Sequence, residues 1–194
     1  FQAFLQTSLI SHSDWFQNRL TAQRTLANIL RLQGKYAEAE VLAEETIQLC
    51  RRVGENYQQT LYSLANLAKI LVDVENFDKA EQLLSEAISR LSALVGEENR
   101  FQLQLNGQMG ELLIAMGRLS EAEKYLEKSL DTSERVYGRG HPTTVELIGL
   151  TGELRRAQAN YDEAEMLLLE CFNVNATTRS MGHEKTRDAI EEVV

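Results

Sequence analysis

A seven-residue pattern that returns four times along the chain constrains its fold more than any other feature. The copies are GKYAEAE from Gly34, ENFDKAE from Glu75, GRLSEAE from Gly117 and ANYDEAE from Ala159. Their aligned aromatic or leucine residues, at positions 36, 77, 119 and 161, advance by 41, 42 and 42 residues. A fixed period of this size is typical of a repeat array, in which each unit is one small supersecondary motif stacked on the next.

The composition favours helices as the elements of that array. Of the 194 residues, 43% are hydrophobic and 25% are charged, and there is a single proline. This balance supplies enough apolar material for a core, and the abundance of Leu, Ala, Glu and Gln favours helix over strand. The sequence therefore predicts an all-α fold.

One period contains two helices that can be located from their spacing. Leu61, Leu64, Leu67, Ala68 and Leu71 recur at helical intervals and predict a first helix with one buried face. The second helix follows the seven-residue pattern. We expect the alanine of that pattern, at 39, 80, 122 and 164, where the two helices cross closely, and the preceding aromatic or leucine between units.

Capping residues, glycines and a proline predict where these helices begin and end. Asp78, Ser120 and Asp162 each stand three residues before a glutamate, which predicts a capping box at the start of each second helix. Glycines at 54, 96, 138 and 182 are expected in the left-handed conformation after those helices. Pro142 fits the first turn of the next first helix, where its missing N–H costs nothing.

These features resemble the tetratricopeptide repeat. The match is fullest in the first copy, with Leu26, Ala27, Gly34, Tyr36 and Ala39. The period exceeds the usual length of about 34 residues. It is similar to the long repeats of kinesin light chains, whose linkers carry a glycine, a histidine and a proline, as YGRGHPTT does at residues 137–144. The resemblance implies a right-handed superhelical solenoid of antiparallel helix pairs that acts as a scaffold for protein interactions.

On this resemblance the chain is a single array with incomplete ends. Residues 1–19 correspond to the C-terminal half of a truncated repeat, and 187–194 open a further repeat. The full repeats are expected at 20–60, 61–102, 103–144 and 145–186. The first residue is Phe1 rather than methionine, so we expect a piece of a longer protein. Trp15 falls beside a predicted linker, where it either packs over the half-repeat or anchors a partner.

The residues capable of chemistry give no pattern for an enzyme. His12, His141 and His183 do not lie three or four residues from one another or from a cysteine, so no metal-ligand spacing exists. Cys50 and Cys171 fall on second helices and are interpreted as buried structural thiols, too far apart for a disulfide within one chain. We therefore expect no catalytic activity, no cofactor and no metal.

Charge and hydropathy restrict the partners. A net charge of -9 disfavours nucleic acid and anionic membranes, because both would repel the chain. No apolar run reaches the roughly 18 residues needed to cross a bilayer. Few cysteines suit a reducing compartment, so the sequence predicts a cytoplasmic protein whose partner is a protein or peptide.

In this family the first helices line the concave groove, and the resemblance therefore implies a set of peptide-binding positions. Arg24, Asn28 and Asn66 resemble part of the clamp with which some members hold a terminal carboxylate, but glutamines stand where its further basic residues belong. We therefore expect an internal segment carrying acidic residues to bind across the first two repeats. The implied groove residues are Arg24, Asn28, Arg31, Tyr62, Asn66, Lys69, Gln104, Gln108 and Glu111, followed by Glu146, Glu153 and Arg156.

Two alternatives remain open at this point. The groove residues are also compatible with an ordinary solvated surface. The chain could also be a regulatory or oligomerising segment of a multidomain signalling enzyme, such as a kinase or nucleotide-binding switch protein, without its own peptide ligand. Apolar residues in the incomplete end repeats further predict end-to-end self-association of this fragment at high concentration.

Overall fold

The computed structural model describes residues 2–52, 57–174 and 176, with side chains in 15–52, 59–174 and 176. Within these residues all regular structure is helical, which confirms the predicted all-α fold class. The helices are α1 (Gln2–Leu32), α2 (Tyr36–Arg52), α3 (Tyr57–Asp73), α4 (Phe77–Val95), α5 (Arg100–Ala115), α6 (Leu119–Tyr137), α7 (Pro142–Ala157) and α8 (residues 161–174).

The helices form two compact units. Unit 1 is Phe1–Leu91 and unit 2 is Ser92–Val194, so the division falls within α4. In unit 1, α2 packs against α1 and α3, and α1 also contacts α3. In unit 2, α6 packs against α5 and α7, and α5 also contacts α7. Each unit therefore places two first helices side by side, with a second helix against both.

The apolar face predicted for α3 is part of the core of unit 1. Leu61, Leu64, Leu67, Ala68 and Leu71 are all buried, as their helical spacing indicates. Fully burying one such leucine contributes roughly 1.5–3 kcal/mol relative to leaving it exposed. The four alanines of the repeated pattern are buried as well; they are Ala39, Ala80, Ala122 and Ala164.

The repeated seven-residue pattern is a helix stop followed at once by a helix start. Its first residue has a positive φ in every copy, at Gly34, Glu75, Gly117 and Ala159. In the first copy, Gly34 N–H donates to Arg31 O and Lys35 N–H donates to Leu30 O, both at 2.9 Å. The other three copies repeat both bonds, and this pair of bonds is the Schellman motif that ends many helices.

The predicted N-cap residues lie two positions beyond the observed N-cap positions. Arg118 is the N-cap of α6, and Ser120 is the second residue of that helix. Asp78 and Asp162 likewise lie second in α4 and α8. The left-handed residue already turns the chain, so the next helix begins at the aromatic or leucine and leaves no room for a separate capping segment.

The two linker glycines that the structure describes have the positive φ that the prediction requires. Gly96 and Gly138 follow α4 and α6 with φ values of 78° and 84°. Gly138 also has a ψ of 160°, a combination that is essentially restricted to glycine. Pro142 is the first residue of α7, as expected. The predictions for Gly54 and Gly182 lie outside the described residues.

The prediction of a linker beside Trp15 is wrong. Helix α1 continues without a break from Gln2 to Leu32. The other linkers contain glycine, whereas no glycine or proline occurs before residue 34 to stop the helix. Trp15 is 62% exposed, and the Arg19 guanidinium carbon lies 5.6 Å from its ring centroid. The division of the whole chain into repeats stays a prediction.

Candidate functional site

The predicted groove residues of unit 1 lie on two helices that pack against each other. We call them the unit 1 face; three come from α1 and three from α3. All six are partly exposed, as expected for side chains at the edge of a helix contact rather than inside it. The residues of the unit 1 face are Arg24, Asn28, Arg31, Tyr62, Asn66 and Lys69.

Arg24 is the residue that connects the two helices of this face. Its Nη1 donates to Gln59 Oε1 at 2.8 Å, and its guanidinium carbon lies 4.9 Å from the ring centroid of Tyr62. Burial lowers the pKa of Arg24 below its ordinary range, partly offset by Tyr62 and Cys50. Arg24 thus holds a partly desolvated positive charge between a neutral amide and an aromatic ring.

Arg31 differs from Arg24 because its charge is already paired. Its Nη1 donates to Asp73 Oδ2 at 2.8 Å, and its Nε donates to Asn28 Oδ1 at 3.1 Å. An additional anion would compete with Asp73 for this guanidinium. Arg31 therefore orients Asn28 and contributes little uncompensated positive potential to the face.

Asn66 and Lys69 complete the face on α3. The Nδ2 atom of Asn66 is buried and has no hydrogen-bond partner among the residues that the structure describes. A buried amide N–H without a partner costs free energy, and an acceptor such as a peptide carbonyl would satisfy it. Lys69 is partly exposed one helical turn further along α3.

The predicted groove residues of unit 2 have the opposite character. Glu111 and Glu146 are exposed, and Glu153 accepts from Arg156 Nε at 2.9 Å within α7. Gln104 and Gln108 are partly exposed, and the buried Oε1 of Gln108 has no partner in the described part of the chain. The α5 and α7 positions, which we call the unit 2 face, are therefore acidic overall; they are Gln104, Gln108, Glu111, Glu146, Glu153 and Arg156.

Within the described residues, no group of three or more His, Cys, Asp or Glu side chains could hold a metal ion. Cys50 is buried, and this burial raises the pKa of its thiol, which disfavours the reactive thiolate. Cys171 is partly exposed, so its predicted full burial is wrong. Both are thiols in the structure. The predicted absence of a bridge between them stays a prediction.

His141 has a structural role at the start of α7. Its Nδ1 accepts from Thr143 N–H at 3.2 Å, and its ring stacks on Tyr137 at a centroid distance of 4.9 Å. The side chains of His12 and His183 lie outside those described. In the described part of the chain, no helix is long and apolar enough to cross a membrane.

Two residues that stabilise the unit 1 face were not among the predicted site residues. Gln59 holds Arg24, and Asp73 pairs with Arg31. Asp73 had a usable signal, since it follows Arg31 by 42 residues, within one residue of the 41-residue period between the first two copies. Opposite charges at neighbouring positions of successive repeats are compatible with an ion pair between adjacent first helices. Gln59 carried no such signal.

Comparison with known proteins identifies the family. A sequence model of the tetratricopeptide repeat matches residues 18–93 and 101–175. The protein is thus an all-α helical repeat protein, and the chain belongs to the tetratricopeptide repeat family. No protein with a curated description matches the chain.

Solved structures of similar fold include kinesin light chain-like repeats. A kinesin light chain-like protein of Podosopora anserina with nearly identical TPR-like repeats superposes with a TM-score of 0.61 at 21% identity, covering 82% of this chain and 76% of that one. A single-substitution form of it gives a TM-score of 0.64 at 21% identity, with coverages of 84% and 77%. BtubC (BKLC) from P. vanneervenii gives 0.70 at 16% identity, covering 88% and 68%. These similarities confirm the kinesin light chain-like repeat fold.

Proposed function

We propose that this chain is a non-catalytic protein-interaction module whose unit 1 face binds an extended, internal peptide segment carrying acidic residues. Tetratricopeptide repeats generally serve as protein-interaction modules, which supports the broader part of this proposal. The finer part depends on the side chains of α1 and α3.

The state of Arg24 is the observation that supports the proposal most directly. Its guanidinium is half-buried between Gln59 and Tyr62, and no carboxylate among the described residues forms an ion pair with it. Removing a charge from water is unfavourable unless an opposite charge compensates it. A ligand carboxylate at this point would restore that compensation through a charge-assisted hydrogen bond.

Asn66 and Lys69 favour an extended peptide over an isolated anion. The unpartnered Asn66 Nδ2 matches a main-chain carbonyl, and Lys69 offers a second positive charge on the same helix. A carboxylate at Arg24, a carbonyl at Asn66 and a second carboxylate near Lys69 would each complement one group of this face. The pairing of Arg31 with Asp73 makes Arg31 a weaker contributor than the sequence alone predicts.

The proposal can be tested with a random peptide library selected on the full chain. We expect the selected peptides to be enriched in Asp and Glu. Their binding should weaken by several kcal/mol when Arg24→Glu and Lys69→Glu are combined, because two attractions become repulsions. Arg24→Gln with Lys69→Gln removes the charges without adding repulsion, and should give an intermediate loss.

A matched control is Lys35→Glu with Arg52→Glu, which changes the net charge equally at two exposed residues of unit 1 outside the face. Affinity should then fall only slightly, through long-range electrostatics that about 0.15 M salt largely screens. Circular dichroism of each variant separates a binding defect from unfolding. Equal losses in the control and the face variant would contradict the assignment of this face.

A selection that yields no peptide at all would favour the alternative, a regulatory or oligomerising segment of a signalling enzyme.

For the location of the protein we retain the cytoplasm as part of this proposal, because two cysteines in a chain of 194 residues suit a reducing compartment.

A further inference from the structure

A largely apolar, exposed stripe runs along α1, on a side that no other helix covers among the residues that the structure describes. Trp15, Arg19, Ala22, Leu26 and Ile29 recur at intervals of 4, 3, 4 and 3 residues, and all five are exposed. Leu26 is 48% exposed and Ile29 is 44% exposed. This spacing produces a narrow seam on one face of a helix, the kind that packs against another helix.

The corresponding positions of α3 indicate what such a stripe packs against. One period after Arg19, Ala22, Leu26 and Ile29 come Thr60, Ser63, Leu67 and Ile70, which are all buried. Within unit 1, α3 packs against α2, the second helix of the preceding pair. The α1 stripe is therefore shaped to receive the second helix of a repeat.

The second helix of the fourth pattern, α8, exposes the complementary kind of face. Aligned through the repeated pattern, Cys171 and Phe172 of α8 correspond to Thr46 and Ile47 of α2. Ile47 is 5% exposed in unit 1, whereas Phe172 is 69% exposed. Met166 and Leu169 of α8 are exposed as well.

The charges of these two helices are complementary. The charged residue of the α1 stripe is Arg19, and residues 15–32 contain no acidic residue; Arg24 and Arg31 belong to the unit 1 face. Residues 161–174 contain no basic residue, and their exposed acidic side chains are Asp162 and Glu165, whereas Glu163 pairs with Arg155 and Glu170 with Arg139. Contact between two copies of α1, or between two copies of α8, would bring like charges together, whereas α1 against α8 brings opposite charges together.

We propose that α1 of one copy packs against α8 of a second copy, so that chains associate head to tail. The contact is heterologous, since two different surfaces meet, and each added chain presents a new free surface at either end. Association should therefore continue beyond a dimer as the concentration rises.

The test uses the full chain and two single substitutions, one on each face. Leu26→Glu places an acidic group in the α1 stripe, and Phe172→Arg places a basic group in the α8 face. By sedimentation or light scattering, we expect the wild type to grow in mass with concentration. Each variant alone should stay monomeric, with association weakened on the order of a hundredfold, as for the loss of an interface anchor.

Mixing the two variants gives the decisive result. Leu26→Glu keeps an intact α8 and Phe172→Arg keeps an intact α1, so an equimolar mixture should form a one-to-one dimer and grow no further. Val41→Glu, which alters an exposed apolar residue of α2 outside both faces, should associate like the wild type.

Several outcomes would overturn the proposal. If Phe172→Arg alone still associates, α1 pairs with itself, and if Leu26→Glu alone still associates, α8 does. A mixture that stays monomeric would mean that the two faces do not recognise each other. A wild type that remains monomeric at every concentration would mean that something else in the chain covers them.

Discussion

In both units, a pair of glutamates on a second helix is neutralised by one basic side chain. The two units differ in the helix that carries this basic side chain. Glu40 and Glu44 of α2 occupy the same repeat positions as Glu123 and Glu127 of α6. In unit 1, Lys79 of α4 bridges the first pair at 3.0 Å to each carboxylate. In unit 2, an arginine of α7 contacts the second pair instead. A second helix supplies the cation in one unit, and a first helix supplies it in the other.

That arginine, Arg155, lies at the centre of a larger network. Beyond Glu123 and Glu127, its Nε lies 3.1 Å from Glu163 of α8, an ion-pair contact, and its Nη1 donates to Gln158 at 2.8 Å. Hydrogen bonds to Glu123 and then Glu127 raise the pKa of Arg155. Arg155 therefore joins α6, α7 and α8.

The difference bears on where a ligand can bind. In unit 2 the first-helix cation Arg155 is occupied with carboxylates of neighbouring helices, and the unit 2 face keeps mainly glutamates. In unit 1 the carboxylates are neutralised from a second helix, and Arg24 remains beside neutral partners. An acidic ligand should thus prefer unit 1, although the repeat pattern of the two units is nearly the same.

The units also differ in how closely their helices approach. At one aligned position of the first helices, unit 1 has Ala27 and Ala68, whereas unit 2 has Gly110 and Gly152. A Cβ built on Gly110 would lie 2.6 Å from Leu126 Cδ2, and one on Gly152 would lie 2.9 Å from Leu168 Cγ. Glycine is therefore required in unit 2 because a leucine fills the space that a methyl group would need.

The largest effect on stability is expected for Gly110→Ala. Leu126 is fully buried and cannot retreat without disturbing its neighbours. Overpacking typically costs 1–3 kcal/mol, of which the better helix propensity of alanine recovers up to about 1 kcal/mol. We expect a net loss of about 1–2 kcal/mol in urea-induced unfolding.

The reverse change in unit 1, Ala68→Gly, is the matched comparison. It should cost only about 0.5–1 kcal/mol, because it weakens the helix without creating a clash. If Gly110→Ala proved as stable as the wild type, Leu126 would have an alternative rotamer, and the close approach in unit 2 would not require glycine.

The next largest effect is expected for Arg155→Met, which should destabilise more than Lys79→Met. The Arg155 side chain is only 15% exposed and contacts three carboxylates, whereas that of Lys79 is 40% exposed and contacts two. Exposed pairs are worth about 0–1 kcal/mol, and losing one partner of a more buried cluster costs more. Thermal melts of the two variants should rank them in this order, and equal losses would contradict the comparison.

The Arg155 network should also depend on acid pH. A hydrogen bond from Arg155 lowers the pKa of Glu123 in the folded protein. Stabilisation by Glu123 is therefore complete above the unfolded value of about 4.3 and lost as the pH falls through the lower folded value. The difference in free energy of unfolding between wild type and Arg155→Met, measured by chemical denaturation at a series of pH values, should therefore shrink as the pH falls through that window. A difference that stays constant with pH would mean that the ionisation of Glu123 contributes nothing to stability through this network.

The sequence predicted the repeated elements better than their contacts. The period, the buried alanines and the core face of α3 follow from spacing alone, because burial imposes them in every copy. The predicted N-cap positions were wrong because a residue in the left-handed conformation decides where each second helix begins. At Glu75 and Ala159 the residue type does not indicate that conformation. The candidate groove residues were predicted from the family resemblance and not from spacing. That Arg31 pairs with Asp73 whereas Arg24 donates to the neutral Gln59 depends on side-chain geometry, which periodicity does not contain.

The smallest expected effect concerns those left-handed residues. Each unit contains one pattern that begins with glycine and one that begins with another residue. In unit 1 the φ values are 76° at Gly34 and 58° at Glu75. In unit 2 they are 73° at Gly117 and 61° at Ala159. A left-handed conformation costs an L-residue roughly 1–2 kcal/mol, while glycine loses about 0.5–1 kcal/mol through its greater freedom in the unfolded chain. Ala159→Gly should therefore stabilise the protein by up to about 1 kcal/mol.

The reciprocal change, Gly117→Ala, should destabilise by a similar amount. No atom lies within 4 Å of a Cβ built on Gly117, so this loss would report backbone strain and not a clash. That distinguishes it from Gly110→Ala in the preceding helix, where the added methyl group meets Leu126. Chemical denaturation of both variants measures the two causes separately within one unit. If Ala159→Gly lowered stability, the conformational freedom of glycine would outweigh the strain at this turn, and the alanine in the fourth pattern would be the better residue there.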